Sequence, residues 1–126
     1  LDSPSDRAGG LTLAASSYVD HLDRAAATSP QLLAAHAYVR YLGDLSGGQV
    51  LSRVVARSYG LKAGEPGLRF YDFGGAPAVQ ALAQRFRRGL DEIRPTPVEA
   101  RALVDEACDA FERHERLFDE LAAVAA

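Results

Sequence analysis

The stretch Tyr41–Gln49, with the sequence Tyr-Leu-Gly-Asp-Leu-Ser-Gly-Gly-Gln, combines three glycines with a carboxylate. A glycine inside a helix costs about 1 kcal/mol relative to alanine, so three of them are unexpected in a helix that needs only to be straight. Backbone without Cβ atoms can lie flat against a ligand. A neighbouring carboxylate, here Asp44, can hold water for proton transfer. The stretch is therefore a candidate pocket wall with acid–base chemistry.

The same glycines also fit a purely structural interpretation. Gly43, Gly47 and Gly48 would let a second helix approach closely, and Asp44 would then be only a solvated side chain. The spacing alone does not separate a pocket wall from a helix crossing.

Helices are expected to position this stretch. Apolar residues recur at intervals of three and four over about residues 11–27, which predicts a first amphipathic helix. Ser29 as N-cap and Pro30 at the first position predict a second helix, which runs to about Tyr59 and ends at Gly60. Both halves of this second segment are good helix formers, so we expect the glycines to kink a continuous helix rather than end it.

Two segments show no helical period. Residues 1–10 are charged residues and turn formers and are predicted to form a flexible arm. Residues 61–75 contain four glycines and one proline, which predicts an irregular connection. Its apolar residues Leu68, Phe70 and Phe73 are expected to pin the connection to the core.

Prolines also mark the two remaining helices. The third is predicted to open at Pro77 and to end at Pro95, and the capping box Thr96–Glu99 predicts a fourth that runs to about Val124. The fourth helix carries an apolar line that comprises Leu103, Ala107, Phe111, His114, Phe118 and Leu121. No segment alternates convincingly with a period of two. We therefore predict an all-α fold of about four main helices, forming one helical domain over residues 11–126.

The composition excludes several classes of function. With 48% apolar and 25% charged residues the chain is globular rather than disordered. Its 14 basic and 17 acidic residues give no broad basic surface for nucleic acid. The single Cys108 excludes an intramolecular disulfide and a cysteine-rich zinc cluster, and no apolar run approaches the roughly 20 residues of a membrane span. We expect a soluble cytoplasmic protein with no nucleic-acid or membrane partner.

The sequence contains no methionine, not even at position 1. Its first residues do not look like a signal peptide. We therefore expect the chain to begin part-way through a longer product.

The segment Ala35–Gln49, with the sequence Ala-His-Ala-Tyr-Val-Arg-Tyr-Leu-Gly-Asp-Leu-Ser-Gly-Gly-Gln, resembles the distal-helix signature of heme oxygenases. These enzymes cleave heme to biliverdin, carbon monoxide and ferrous iron. The resemblance covers about residues 18–122 and continues in order through Gly67–Phe73, Phe86-Arg87, Thr96-Pro97, Ala110-Phe111 and Leu117–Leu121. It implies a truncated heme oxygenase-like helical fold with a glycine-kinked distal helix. Heme would be both substrate and cofactor.

The resemblance also implies roles for particular residues. Gly43 and Gly47 match glycines that place backbone against the heme and beside the iron-bound oxygen, where crowding directs oxidation to one meso carbon. Asp44 matches the aspartate that orders a proton-delivering water network, and Arg40 matches a residue that helps to hold this network. These two residues are therefore the predicted catalytic pair.

Three further residues match the family's heme contacts. Tyr38 and Arg87 match groups that bind the heme propionates, and Phe111 matches an aromatic pocket wall. The family's propionate-binding lysine falls at Ala83, which predicts a thinner anion clamp.

The family's proximal helix, whose histidine ligates the iron, has no match upstream of residue 18. We expect an upstream segment or a homodimer partner to supply it. His36 matches a family histidine that does not bind iron, His21 borders the apolar stripe of the first helix, and His114 replaces a family asparagine. None of them is predicted to be an axial ligand, although His114 shares a helix face with Phe111, and no protein metal site is expected. Cys108 has no partner at metal-ligand spacing.

Two hypotheses for function follow. In the first, the chain is a heme oxygenase or its distal and C-terminal part, which uses O2 and takes electrons from a ferredoxin or a flavin reductase. Arg53, Arg57 and Lys62 could contribute to docking that donor, and the isolated chain is expected to be inactive without the proximal segment. In the second, the chain is a non-catalytic helical module that self-associates or binds a partner. The enzyme is favoured by one combination of residues, because glycines inside a helix cost stability when there is no ligand to receive: Gly43, Asp44, Gly47, Arg40 and Arg87.

Overall fold

The structure, a computed structural model, describes residues 10–125. Its α-helices are α1 (Leu13–Thr28), α2 (Leu33–Ala37), α3 (Gly43–Tyr59), α4 (Ala76–Asp91) and α5 (Pro97–Ala125). Short 3-10 segments cover Pro30–Leu32 and Pro66–Tyr71, and a π-helical turn covers Tyr38–Leu42. No strand occurs in this range, which confirms the all-α prediction. Residues 1–9 of the predicted arm lie outside the described part of the chain.

The predicted second helix is continuous from Pro30 to Tyr59, through the 3-10 segment, α2, the π-helical turn and α3. Gly60 ends it in the left-handed conformation, with φ 64° and ψ 31°. The irregular turn lies immediately before the glycines, since Gly43 itself has α-helical angles of −61° and −44°. π-Helical turns inside α-helices are rare and are frequent at functional sites.

Local signals explain the starts of α1 and α5 but not the end of α4. The Thr12 hydroxyl caps α1 by accepting a hydrogen bond from the backbone N–H of Ala15 at 3.2 Å. Helix α4 ends at Asp91, earlier than Pro95 suggests, and Arg94 then adopts a positive φ of 46°. Helix α5 begins at Pro97, where the capping box predicts.

No described helix has both the length and the apolar character that crossing a bilayer requires.

The described residues form two compact units. The first contains the residues up to His36 and those from Val98 onward. In this unit the Glu120 carboxylate accepts hydrogen bonds from the backbone N–H of Ala14, at 2.9 and 3.1 Å. That N–H lies in the first turn of α1 and has no acceptor within its own helix, so the carboxylate of α5 satisfies a donor at the end of α1.

Helix α5 buries only part of the predicted apolar line, which includes His114. Ala110 and His114 are buried, whereas Phe111 and Phe118 are more than half exposed. Hydrogen bonds to α1 explain which face of α5 is buried. They are made by Glu106, Arg113 and Glu120, and the face of α5 that carries these residues therefore points toward α1.

The second unit is Ala37–Pro97. Its core includes Leu45, which is 2% exposed, and Leu68 of the 3-10 segment. The side-chain amide of Gln49 donates to the backbone carbonyl of Tyr71 at 2.9 Å and ties the segment to α3. Phe70 is 63% exposed and does not pin the connection.

Phe73 supports the π-helical turn instead. Its ring lies edge-on to Tyr41, with centroids 6.1 Å apart, and Phe86 of α4 packs on the same tyrosine at 5.4 Å. Aromatic contacts from two neighbouring segments therefore hold the irregular turn in place.

Candidate functional site

Two of the three glycines of α3 present bare backbone. Gly43 and Gly47 are exposed, and a Cβ atom built on either of them would meet no other atom of residues 10–125 within 4 Å, beyond its own helix backbone and chain neighbours. No second helix of residues 10–125 approaches these two positions. Their shared property is open space above the main chain, which suits a flat ligand.

Gly48 differs from the other two glycines. It is buried, and a Cβ there would lie 3.6 Å from Asp44 Cβ and 3.7 Å from a ring carbon of Tyr71. These are ordinary van der Waals distances, so Gly48 lies against the 3-10 segment Pro66–Tyr71 without requiring the absence of a side chain.

Arg40 and Asp44 form an ion pair one turn apart. One terminal guanidinium nitrogen of Arg40 donates to both carboxylate oxygens, at 3.1 and 3.2 Å. The two side chains are 43% and 23% exposed. Such a pair contributes only about 0.3–0.5 kcal/mol to a helix, and the basic residue stands first, which is the weaker order.

The main effect of this pair is thus to orient Asp44. A carboxylate has about four acceptor positions, and Arg40 takes two of them. The remaining positions can accept hydrogen bonds from water, which is the arrangement that proton delivery requires.

A cavity of about 370 Å³ lies between α3 and α4 in the second unit. Among the residues that line it are Leu42, Leu45, Ser46, Val79, Ala83 and Arg87. Arg87 has no ion-pair partner among residues 10–125, so its charge is available to an anion. Ala83 lies one turn earlier on the cavity wall, where the resemblance expects a lysine.

Six of the predicted site residues lie in the second unit: Tyr38, Arg40, Gly43, Asp44, Gly47 and Arg87. Five of them fall within ten residues of one another on the continuous helix. Phe111 belongs to the first unit, where it is 53% exposed on α5. Its predicted role as a pocket wall stays a prediction.

The first unit contains a polar cluster that the sequence analysis did not assemble. Nε2 of His21 and Nε2 of His36 both donate to the same oxygen, Oε1 of Glu106, at 2.5 and 2.7 Å. Glu106 stands 85 and 70 positions from these histidines, and no local pattern singles it out. The sequence pattern predicts only that Glu106 lies on α5, one turn before Ala110, which is buried in the structure.

The electrostatics of the cluster favour an ionised carboxylate. Burial by itself would raise the pKa of Glu106, but the hydrogen bonds from His21 and His36 and the charges of these rings outweigh that effect. The pKa of Glu106 consequently lies below its ordinary value.

His114 is a satisfied buried histidine. Its Nδ1 donates to the backbone carbonyl of Ala110 at 2.6 Å. Its ring packs edge-on to Tyr18, with centroids 5.2 Å apart, and also contacts Phe118. Packing and this hydrogen bond account for its position on α5.

Comparison with known proteins identifies relatives over most of the chain. The family model described as heme oxygenase matches residues 5–120. Heme oxygenase 1 of the cyanobacterium Synechocystis sp. is 39% identical over 111 residues, which are 88% of this chain and 45% of that protein.

Solved structures agree with this assignment. The crystal structure of the Synechocystis heme oxygenase 1 in complex with heme superimposes with a TM-score of 0.81 and 34% identity, and covers 94% of this chain and 53% of that one. The heme oxygenase of Leptospira interrogans gives a TM-score of 0.84 and 36% identity, over 95% of this chain and 57% of that one. The chain thus spans about half the length of the relatives it matches.

Proposed function

Because this chain belongs to the heme oxygenase family, we propose that it forms the distal side of a heme site in an enzyme that cleaves heme to biliverdin, carbon monoxide and ferrous iron. The observation that carries the proposal is the bare backbone at Gly43 and Gly47 with the oriented carboxylate of Asp44 between them. A helix with no ligand to receive would gain stability from alanine at both glycines.

The residues present fit a heme. The open space above Gly43 and Gly47 is a surface that a Cβ would fill and that a planar macrocycle can approach. The related Synechocystis protein was solved in complex with heme. Heme, when bound, supplies the iron that activates dioxygen and is itself the substrate, so the chain needs no second redox group.

In this proposal Arg40 and Asp44 act as a unit. The guanidinium holds the carboxylate in one orientation, and the carboxylate oxygens accept hydrogen bonds from water. Asp44 then passes protons through that water instead of contacting the ligand directly. Since Arg40 acts through Asp44, it is a positioning residue.

Tyr38 and Arg87 are proposed to bind the propionate groups, and Phe111 to form part of the pocket wall. Tyr38 is 45% exposed and offers a hydroxyl, while Arg87 offers a guanidinium at the cavity between α3 and α4. A guanidinium and a carboxylate form charge-assisted hydrogen bonds, which are stronger than neutral ones.

Arg87→Ala is expected to weaken heme binding about tenfold, since a hydrogen bond to a charged group contributes about 1.5 kcal/mol at an exposed site. A hemin titration followed at the Soret band measures the effect. The matched control is Arg85→Ala, which removes the same charge from the same helix at a residue that does not line the cavity. Equal weakening by both variants would show that only net charge matters.

The histidine that would ligate the iron and the electrons for the reaction are both proposed to come from outside residues 10–125. The axial ligand comes from an upstream segment or a second chain that carries the proximal histidine. Electrons come from a ferredoxin or a flavin reductase.

A hemin titration in the absence and presence of an upstream segment with the proximal histidine tests this proposal. We expect a histidine-type Soret spectrum only when the segment is added, and biliverdin when a reductant and O2 are then supplied. A histidine-type spectrum from this chain alone that is lost in His114→Ala would instead identify an internal ligand. Absence of saturable heme binding under both conditions would favour a non-catalytic helical module.

A further inference from the structure

Three ligand-type side chains converge in the first unit from three helices. His21 comes from α1, His36 from α2 and Glu106 from α5, and the ligand atoms of all three lie within 4.8 Å of one another. We propose that His21, His36 and Glu106 form a binding site for a divalent first-row transition-metal ion, separate from the heme site. This proposal goes beyond the proposed function and does not depend on it.

The donor set determines which ions the site prefers. Two imidazole nitrogens and one carboxylate oxygen suit zinc, iron, cobalt or nickel, whereas magnesium and calcium prefer all-oxygen sites. Three protein ligands leave at least one coordination position open, as in zinc sites that bind water. The Asp109 carboxylate lies 3.5 Å from His21 Nε2 and offers a further oxygen near the site.

The site is largely preformed. The side chain of His36 is 6% exposed and that of Glu106 12%, while His21 at 22% leaves an access route from solvent. Both Nε2 atoms already point at one carboxylate oxygen. A metal ion would take the place of the two N–H protons, and the Nε2 atoms, now 2.5 and 2.7 Å from Oε1, would have to move away from it to make room for metal–ligand bonds of about 2.0–2.2 Å.

The next neighbours of the imidazoles decide whether each Nε2 can release its proton. Nδ1 of His36 lies 2.7 Å from the Tyr18 hydroxyl, which can accept a hydrogen bond from Nδ1–H as readily as it donates one to Nδ1. His36 can therefore change tautomer and present a lone pair at Nε2. Such partners on the far side of the ring are typical of metal-binding histidines.

His21 is in the opposite situation. Its Nδ1 lies 3.2 Å from a terminal nitrogen of Arg113, whose guanidinium is held at Asp109 by a 2.7 Å hydrogen bond from Nε. A guanidinium only donates, so it favours the proton on Nε2 of His21 and opposes metal binding there. Arg113 is therefore expected to compete with the metal, which distinguishes a built site from nonspecific binding to histidine.

The experiment uses the untagged, heme-free chain. Zn²⁺ is titrated by calorimetry, and Co²⁺ by its visible d–d absorption. We expect one ion per chain, and no comparable binding of Mg²⁺. His21→Gln and Glu106→Gln should each weaken Zn²⁺ binding by at least about tenfold, because even residues that only support a ligand change metal affinity by about 10- to 100-fold. The matched control Glu112→Gln removes an exposed carboxylate of the same helix as Glu106 and should leave the affinity unchanged.

Arg113→Gln is expected to have the opposite effect on the affinity for Zn²⁺. Glutamine has a carbonyl that can accept from Nδ1 of His21, so this variant should bind Zn²⁺ more tightly than the wild type, again by about tenfold. Circular dichroism checks that every variant is folded. In the wild type, Zn²⁺ should shift the ring NMR signals of His21 and His36, a measurement that requires no substitution.

Two results would overturn the proposal. One is the absence of saturable Zn²⁺ or Co²⁺ binding to the folded wild-type chain. The other is stoichiometric binding that both His21→Gln and Glu106→Gln retain while the His21 and His36 signals do not move. Neither result bears on heme binding, which the hemin titration tests separately.

Discussion

Asp44→Asn is expected to retain heme and to lose biliverdin formation, by about 100-fold or more. The side chains of Asn and Asp have nearly the same shape, so the surface at Gly43 and Gly47 is preserved. The amide, however, cannot carry a proton, and its NH₂ group donates where the carboxylate accepts. Positioned acid–base groups typically contribute about 10²- to 10⁴-fold to a rate. Single-turnover formation of biliverdin from the heme complex, completed with the proximal segment and a reductant, measures the loss.

The matched control for this substitution is Asp91→Asn, which removes an exposed carboxylate at the end of α4. It should change neither heme affinity nor turnover. Arg40→Lys keeps the charge but not the guanidinium that reaches both carboxylate oxygens, so an intermediate loss of rate with unchanged heme affinity is expected. Full biliverdin production by Asp44→Asn would remove proton delivery from the role of this residue.

Most helix boundaries could be predicted from local signals, because proline restricts φ and glycine readily adopts the left-handed conformation that ends a helix. Pro97 with its capping box marks the start of α5, and Gly60 supplies the left-handed residue that ends α3. The end of α4 was less predictable, since Asp91 is its last residue although the next proline is Pro95. Nothing local indicated the early stop.

The candidate site was predictable where its residues are close in sequence. Arg40 and Asp44 are one turn apart, so their contact follows from helix geometry. The π-helical turn at Tyr38–Leu42 did not follow, because it is supported by Phe73 and Phe86, which lie more than thirty residues away. Tertiary packing of that kind is not encoded in the local sequence.

The cluster around Glu106 was missed for the same reason. Helical periodicity places apolar residues inward, and on α5 this rule selected Phe111 and Phe118, which are exposed. Glu106 is drawn inward by two histidines from other helices, and a single sequence does not reveal such a pairing. A glutamate can be partly buried here because it accepts two hydrogen bonds and is not left unpaired.

The proposed heme contact at the backbone of Gly47 can be tested by adding a side chain there. Gly47→Leu is expected to weaken heme binding by roughly 100-fold, because forcing a large side chain into an occupied contact costs up to about 3 kcal/mol. Without heme the same variant should be more stable than the wild type, by up to about 0.8 kcal/mol, since the added Cβ meets nothing and leucine favours a helix over glycine.

Gly89→Leu is the matched control, because Gly89 is also an exposed helical glycine with open space at its Cβ. It lies near the end of α4, so it should gain some stability and bind heme as the wild type does. Hemin titration and thermal unfolding of the heme-free protein measure the two quantities independently. Opposite changes in affinity and stability at Gly47, with no change in affinity at Gly89, would mean that the cost of glycine in α3 is offset by the ligand. Unchanged heme affinity in a folded Gly47→Leu protein would place the heme elsewhere.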